Sequence, residues 1–281
     1  MLESWIIKNA NDVQVALFFA LLAVFAIAEI FAPAREGRSN RWKRWPVNFA
    51  LTTINIVVMG MLPVTFFSAA NWAAQHGVGV FNMIGMRFAT LIIATLLVRG
   101  FISFSTHYLM HKVPFLWRVH RVHHLDTEFD VSTTVRFHPA EFGIAMVLGV
   151  PVVLAFGLLP WVLLMYEIID AGVTVFSHAN VRLPAAVERV LRYIIVTPDL
   201  HRVHHSAWQP ETDSNVGAVF PIWDIVFGTF RTETRAPQEE MMIGLGEVRD
   251  ARAQRITWLL SSPFRRLAAS PAFDSIERRE A

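Results

Sequence analysis

No Asp, Glu, Lys or Arg occurs from Val47 to Met86, nor from Phe142 to Tyr166, in a chain of 281 residues. Crossing a bilayer takes about 20 mostly apolar residues in a helix, and a water-soluble domain has no need of uncharged runs this long. The whole chain follows suit, with 54% hydrophobic and only 17% charged residues, where soluble domains carry about 25% charged. An ordinary soluble enzyme is therefore excluded. Disorder is excluded as well, because 12% of the residues are aromatic. The absence of cysteine removes disulfides, zinc-thiolate sites, iron–sulfur clusters and a cysteine nucleophile. A formal net charge of +2 suits local basic patches on anionic lipid and gives no reason to expect a nucleic-acid partner.

The first span is expected over Val13–Pro33. Its flank holds Glu3 and a lone Lys8 and lacks the basic start and small-residue cleavage site of a signal peptide, so it reads as an uncleaved anchor. The second span is expected from Val47 to about Ser68, kinked by Pro63. The third runs from about Val80 to Phe104. Its Arg87 and Arg99 lie ~18 Å apart along a helix and are expected to snorkel to opposite interfaces. Phe142–Gly157 and Trp161–Ser177 meet at Leu159-Pro160 and read as a helical hairpin too short to cross fully.

The stretch Arg35–Trp45 carries Arg35, Arg38, Arg41, Lys43 and Arg44 against Glu36, whereas Ala69–Asn82 has no Lys or Arg. Lys112, Arg118 and Arg121 follow the third span. The positive-inside rule then puts the amino terminus outside and the histidine-rich stretches in the cytoplasm. The expected fold is an all-α integral membrane protein of the bacterial cytoplasmic membrane. It has about three spans plus a helical hairpin, with a cytoplasmic histidine-rich helical cap. Residues 1–106 would be anchor helices, 107–230 the catalytic domain with the hairpin 142–177, and 231–281 a charged cytoplasmic tail. Within that tail, Ile256–Leu260 and Pro263–Leu267 could form an amphipathic surface helix with Arg265 and Arg266 towards lipid headgroups; a solvated tail is the alternative.

Ten of the eleven histidines fall into a pattern; His76 alone reads as incidental. His107 and His111 form H-x-x-x-H. His120, His123 and His124 form H-x-x-H-H, and His201, His204 and His205 repeat it, within HRVHH both times. His138 sits in Arg136-Phe137-His138-Pro139, and His178 in Ser177-His178-Ala179-Asn180. Residues three and four apart share a helical face, so each cluster can aim its imidazoles at one region, and the adjacent pairs diverge enough to serve two neighbouring metals. Pro114 and Thr197-Pro198-Asp199 supply helix-start signals before the two H-x-x-H-H motifs. Imidazole suits zinc, copper, iron and nickel. Ten imidazoles exceed what one ion accepts, so two metals are expected. Neither the Glu-x-x-His pairs of soluble di-iron proteins nor H-E-x-x-H is present.

These residues resemble the fatty acid hydroxylase/sterol desaturase superfamily. The likeness covers about Phe101–Phe230. It includes Leu116-Trp117-Arg118, the segment Arg136-Phe137-His138-Pro139-Ala140-Glu141, Asn215, and Trp223-Asp224-Ile225-Val226-Phe227-Gly228-Thr229. The resemblance implies a membrane-bound oxidoreductase that uses two iron ions and dioxygen to hydroxylate or desaturate a lipid: a sterol, a fatty acyl chain or a related hydrophobic molecule. It makes His107, His111, His120, His123, His124, His201, His204 and His205 the core ligands and His178, before Asn180 and Pro184, the ninth. His138 is either a further ligand or a hydrogen-bonding neighbour. No segment resembles a soluble electron-carrying domain or a haem-binding His-Pro-Gly-Gly stretch, so electrons are expected from a separate protein.

Metal-bound imidazoles commonly donate their second N–H to a carboxylate or carbonyl. Candidates are Asp126, Glu141, Asp199, Asn180 and Asp224. Glu167 and Asp170 interrupt an apolar helix, and Asp170, Thr174 and His178 recur every four residues, so Asp170 could point towards the metals or pair with Arg99. Arg118, Arg121 and Arg202 could bind lipid phosphates, hold carboxylates or dock the electron donor. The substrate cavity is expected beneath the histidines, among the apolar ends of the third span and the hairpin. Other readings of the histidines are a divalent-metal transporter, whose sites would lie near the bilayer midplane, and a di-zinc membrane hydrolase using metal-activated water.

Overall fold

Apolar residues surround the helix axis from Val15 to Ala28, and Leu2–Phe31 forms one helix, α1, of 30 residues, about 45 Å long. Only Ile6, Ala10 and Glu29 of it are buried; most of its surface is left to lipid. The computed structural model describes residues 1–36 and 41–267. In chain order the helices after α1 are α2 (Arg41–Gly60), α3 (Phe66–His76), α4 (Val80–Met83), α5 (Phe88–Lys112), α6 (Pro114–His124), α7 (Ala140–Phe156) and α8 (Pro160–Ser177). Shorter helices follow: α9 (Ala185–Leu191), α10 (Pro198–His204), α11 (Gln209–Thr212), α12 (Ile222–Phe227) and α13 (Ile256–Ser261). Among the described residues there is no strand, only two isolated bridges, Pro33 to Val181 and Ser206 to Ile243. Helices α1, α5 and α8 are long and apolar enough to cross a membrane, and α7 is a shorter apolar helix. The protein is an all-α integral membrane protein.

The expected second span departs from the structure. Helix α2 stops at Gly60, and α3 starts afresh after a Thr65 cap whose hydroxyl accepts from the Ser68 N–H. Pro63 has no N–H and biases Leu62 away from helical backbone, so it breaks the helix where a kink was expected. Phe66, Ala69 and Ala70 of α3 pack with Phe81, Ile102, Val153, Leu158 and Leu163. Part of the expected outer connection is therefore a packed helix. Close approach depends on Gly149, where a Cβ would lie 2.5 Å from the Phe66 ring. Arg99 also departs from expectation. It turns inwards, with its guanidinium over the Phe66 and Tyr166 rings and only 7% exposed. Arg87 stays exposed at the start of α5.

One end of the bundle gathers every histidine of the motifs. Helix α1 reaches it at Glu29, whose carboxylate accepts from the Val131 and Asn180 N–H groups and pairs with Arg41. Helix α2 leaves it at Arg44, which is 1% exposed. The Arg44 guanidinium forks onto Asp126 at 2.6 and 2.8 Å and reaches Asp130 at 2.8 Å. Burial alone would raise the Asp126 carboxyl, but Arg44 and Arg136 outweigh it and hold the group at about 2. The α7–α8 hairpin descends from this end and returns to it at His178.

Residues 231–267 are not a solvated tail. Met241 and Ile243 pack on Phe129 and Val203, and Leu245, Val248, Ala253 and Leu259 pack on Leu51, Val122 and Leu125. The backbone of this strap crosses both H-x-x-H-H motifs. The Gly244 N–H donates to His205 O and the Ala207 N–H to Met242 O, while Arg121 donates to the carbonyls of Ser262 and Arg265. Gly244 has φ +86, and a Cβ there would lie 2.5 Å from Asp126 O. Arg265 and Arg266 are exposed at its end.

Candidate metal centre

Pro114 occupies the first turn of α6 immediately after α5, a position where its missing N–H costs nothing. The short joint turns α6 back, so that His107 and His111 face His120, His123 and His124. On the other side Thr197 caps α10, accepting from the Leu200 N–H, with Pro198 in the first turn. His178 ends α8 and completes the set.

Nine histidines form two groups. His107, His111, His120, His124 and His204 make the first, and His123, His178, His201 and His205 the second; within each group the ligand nitrogens all lie within 4.8 Å of one another. All but His107 are buried. The close approaches are between Nε2 atoms. His107 is 2.9 Å and His124 3.2 Å from His120. His178 is 3.2 Å from His123 and 2.9 Å from His201, which lies 3.3 Å from His205.

The outward nitrogens fix what these contacts are. Nδ1 of His107, His123, His178 and His204 faces the carbonyls of Val216 (2.7 Å), Arg136 (3.2 Å), Thr174 (2.8 Å) and Ser214 (2.9 Å). A carbonyl only accepts, so each Nδ1 carries the proton. Nδ1 of His120 faces Glu141 Oε2 at 2.9 Å, and that of His111 faces Asp213 Oδ1 at 3.4 Å. In the four rings held by carbonyls Nε2 is then a bare lone pair, while Nδ1 of His124, His201 and His205 is buried without a partner. Burial holds His120 down to about 3 and His178 to about 4. It pushes His123, His124, His201, His204 and His205 well below the usual imidazole range, with the neighbouring rings adding to the effect. His123 and His178 both have Nδ1 on a carbonyl, so their Nε2 lone pairs, facing one another at 3.2 Å, repel unless a cation sits between them. An ion about 2.1 Å from each of two imidazole nitrogens leaves them about 3 Å apart at a right angle. Nε2 of His111 and of His204 is also buried without a protein partner. The residues fit two metal ions.

Aromatic rings wall the centre off from water. Phe137 stacks on His123 at 4.6 Å, Phe129 lies 5.2 Å from His205, and Trp117 lies 5.0 Å from His111 and 5.3 Å from His124.

Several expected roles shift. His138 lies outside both groups: its Nδ1 accepts from the Ala140 N–H and its Nε2 donates to Leu260 O, which leaves no lone pair for a metal. Asp199 pairs with Arg202 and touches no histidine. Asn180 instead ties down the chain after α1, bonding Arg35 N and O. Asp126 serves Arg44, and Arg121 and Arg202 are spent on internal contacts. Asp224 acts at one remove. Its carboxylate accepts from the N–H groups of Val216 and Gly217, fixing the loop whose Val216 carbonyl holds His107; burial raises it to about 6. Asp170 accepts from Thr174 Oγ1 at 3.3 Å, and the Thr174 carbonyl holds His178. Asp213 went unanticipated, as did the four carbonyls, which no residue type announces. His76 is exposed at the far end of the bundle on α3, stacked on Trp72.

A cavity of about 310 Å³ lies directly beneath both groups. Helix α5 lines it with Arg99, Ser103, Thr106, His107 and Met110, and α8 with Asp170, Thr174, Ser177 and His178. Phe66, Phe142 and Ala145 supply apolar wall.

Residues 92–229 match the fatty acid hydroxylase family. Over 235 residues the chain is 31% identical to an ornithine lipid hydroxylase of Rhizobium tropici, covering 83% of this chain and 57% of that protein. It is 28% identical over 245 residues to the human alkylglycerol monooxygenase, covering 85% and 50%. It is 30% identical over 143 residues to a cholesterol 25-hydroxylase-like protein of Danio rerio, covering 50% and 55%. The chain thus spans about half the length of these relatives. No solved structure matches it. The motifs, the paired histidine groups and this likeness lead to one assignment: the chain belongs to the fatty acid hydroxylase/sterol desaturase superfamily.

Proposed function

We propose that this protein is a membrane-bound, dioxygen-dependent di-iron hydroxylase of a lipid. One observation carries the reading: two groups of buried histidine nitrogens form the roof of a cavity lined by apolar helices. Two iron ions held there would supply dioxygen activation and oxidation of a C–H bond. His107, His111, His120, His124 and His204 would hold one ion, and His123, His178, His201 and His205 the other. Glu141 and Asp213 orient their histidines from behind and keep the second ring proton in place. The aromatic wall excludes water from the reacting carbon, and the α5 and α8 faces hold the chain below the metals in one orientation. Hydroxylation is favoured over desaturation because the similar proteins are named as hydroxylases and monooxygenases.

The catalytic unit is read as residues 107–230, with the strap 231–267 as part of its wall. Electrons are assigned to a separate donor protein. The histidine end is assigned to the cytoplasm because it carries Arg35, Arg41, Lys43 and Arg44. The same placement, at one end of the bundle, speaks against metal transport, which would need ligands near the midplane.

The test is labelled dioxygen supplied to membranes containing the protein and an electron donor, with mass analysis of the lipids. Label should enter lipid with wild type and not with His124→Ala. Wild-type protein holding two irons that neither consumes dioxygen nor labels any lipid would overturn the reading.

A further inference from the structure

The cavity is not uniformly apolar. The α5 and α8 stripes that line it have matching spacing: Arg99, Ser103, Thr106 and His107 on one, Asp170, Thr174, Ser177 and His178 on the other. Each stripe carries a histidine at the top and a charged residue eight positions below, about 12 Å along the helix. The Arg99 guanidinium is more than nine-tenths buried. Nη1 donates to Ser103 Oγ, and Nε is buried without a hydrogen-bond partner. Among the described residues no carboxylate lies within 4 Å of it. The aromatic faces of Phe66 and Tyr166 hold its plane at 4.9 and 4.6 Å. Across the cavity Asp170 accepts from Thr174 through Oδ1, leaving Oδ2 as an acceptor. A guanidinium and a carboxylate kept at membrane depth without direct contact are costly, and such groups characteristically mark substrate paths. Here both face one space.

We propose that Arg99 and Asp170 form a subsite for a donor–acceptor group, an amide or hydroxyl, carried by the lipid several methylenes from the carbon under the histidines. The group's oxygen accepts from Arg99 and its N–H or O–H donates to Asp170 Oδ2. A plain hydrocarbon leaves both charged groups unanswered, which is the strong form of discrimination for a buried polar site. The subsite thereby selects the substrate class and sets the distance between the polar group and the oxidised carbon. This rests on the reading that the cavity receives the lipid.

The experiment is equilibrium binding to the full chain in detergent, without activity. Three radiolabelled probes with the same sixteen-carbon chain are used: hexadecanamide, N,N-dimethylhexadecanamide and hexadecane. Hexadecanamide should bind at least about tenfold more tightly than hexadecane, with the dimethyl amide, which accepts but does not donate, in between. Asp170→Ala should bring hexadecanamide to the level of the dimethyl amide, and Arg99→Met should bring the dimethyl amide to the level of hexadecane. A structural role alone would lower stability and leave the order intact. Equal binding of all probes to wild type, or an order unchanged in both variants, overturns the subsite. Should a variant fail to insert, the wild-type order still decides. A negative labelled-dioxygen assay with the order intact removes the oxygenase reading and leaves the subsite standing; the reverse pair of results removes only the subsite.

Discussion

His123 and His124 are adjacent in the chain, yet their rings stand at 87° with centroids 5.3 Å apart and belong to different histidine groups. His204 and His205 repeat the arrangement at 87° and 5.4 Å. Each H-x-x-H-H motif is thus a bridge between the two candidate metals, and neither group is complete without both motifs.

Loss of one member of either pair should damage the centre as a whole. His124→Ala or His205→Ala is expected to abolish lipid oxidation and to bring bound metal below two per chain by elemental analysis. Both proteins should still insert, because the spans are untouched. His138→Ala should keep two metals, since both of its ring nitrogens are engaged by backbone, and His76→Ala should be silent. A His138→Ala protein with one metal or none would contradict the nine-ligand assignment.

Glu141 should be the most sensitive carboxylate behind the histidines. Glu141→Ala removes the acceptor of His120 Nδ1–H and is expected to cost about 10–100-fold in metal affinity or turnover. Glu141→Gln keeps an uncharged acceptor and should lose less. Asp199→Asn should leave metal affinity unchanged, since Asp199 meets Arg202 and no histidine. Competition with a chelator, read as metal retained against time, ranks the three.

Arg44 anchors α2 to the cap through two buried carboxylates. Arg44→Met leaves Asp126 and Asp130 without their cation and should destabilise the fold by roughly 3–5 kcal/mol. Thermal unfolding in detergent would show this as a lower midpoint, with less protein recovered in membranes. An unchanged midpoint would mean that the pair contributes nothing to holding α2.

Gly244 tests the strap. Its positive φ alone makes Gly244→Ala unfavourable by about 1–3 kcal/mol, and the new Cβ would press on the Asp126 carbonyl. Because the Gly244 N–H donates to His205 O, the variant should lose metal to a chelator faster than wild type, besides unfolding at lower temperature.

The sequence made the apolar helices and the histidine spacing legible because both are periodic. Phe142–Gly157 and Trp161–Ser177 differ from α7 and α8 by at most two residues at either end. The 3-4 spacing of His107 with His111, and within each HRVHH, places the rings on shared faces whatever the tertiary context. What stayed hidden is what depends on contacts distant in sequence. Met241, Ile243 and Leu259 are apolar but too sparse in a charged segment to announce a core, and only the surfaces of α6 and α10 make them one. Arg99 read as a snorkelling residue because its partners, Phe66 and Tyr166, come from α3 and α8. The carbonyls of Val216, Ser214 and Arg136 that set the histidine tautomers are backbone groups, for which residue identity carries no signal. His138 has the same side chain as the nine, and only its position beside Leu260 removes it from the set.

The sharing of both histidine motifs between the two groups also has a consequence for the order of events during synthesis. A chain emerging at some 5–20 residues per second offers His107, His111, His120 and His124 to the first group well before His204. The second group has only His123 and His178 until α10 appears. The strap that closes over α6 and α10 follows later still, ending at residues 256–265. Neither group holds its full ligand number until α10 has left the ribosome, after α1, α5 and the hairpin, so completion of the metal centre follows the emergence of these helices.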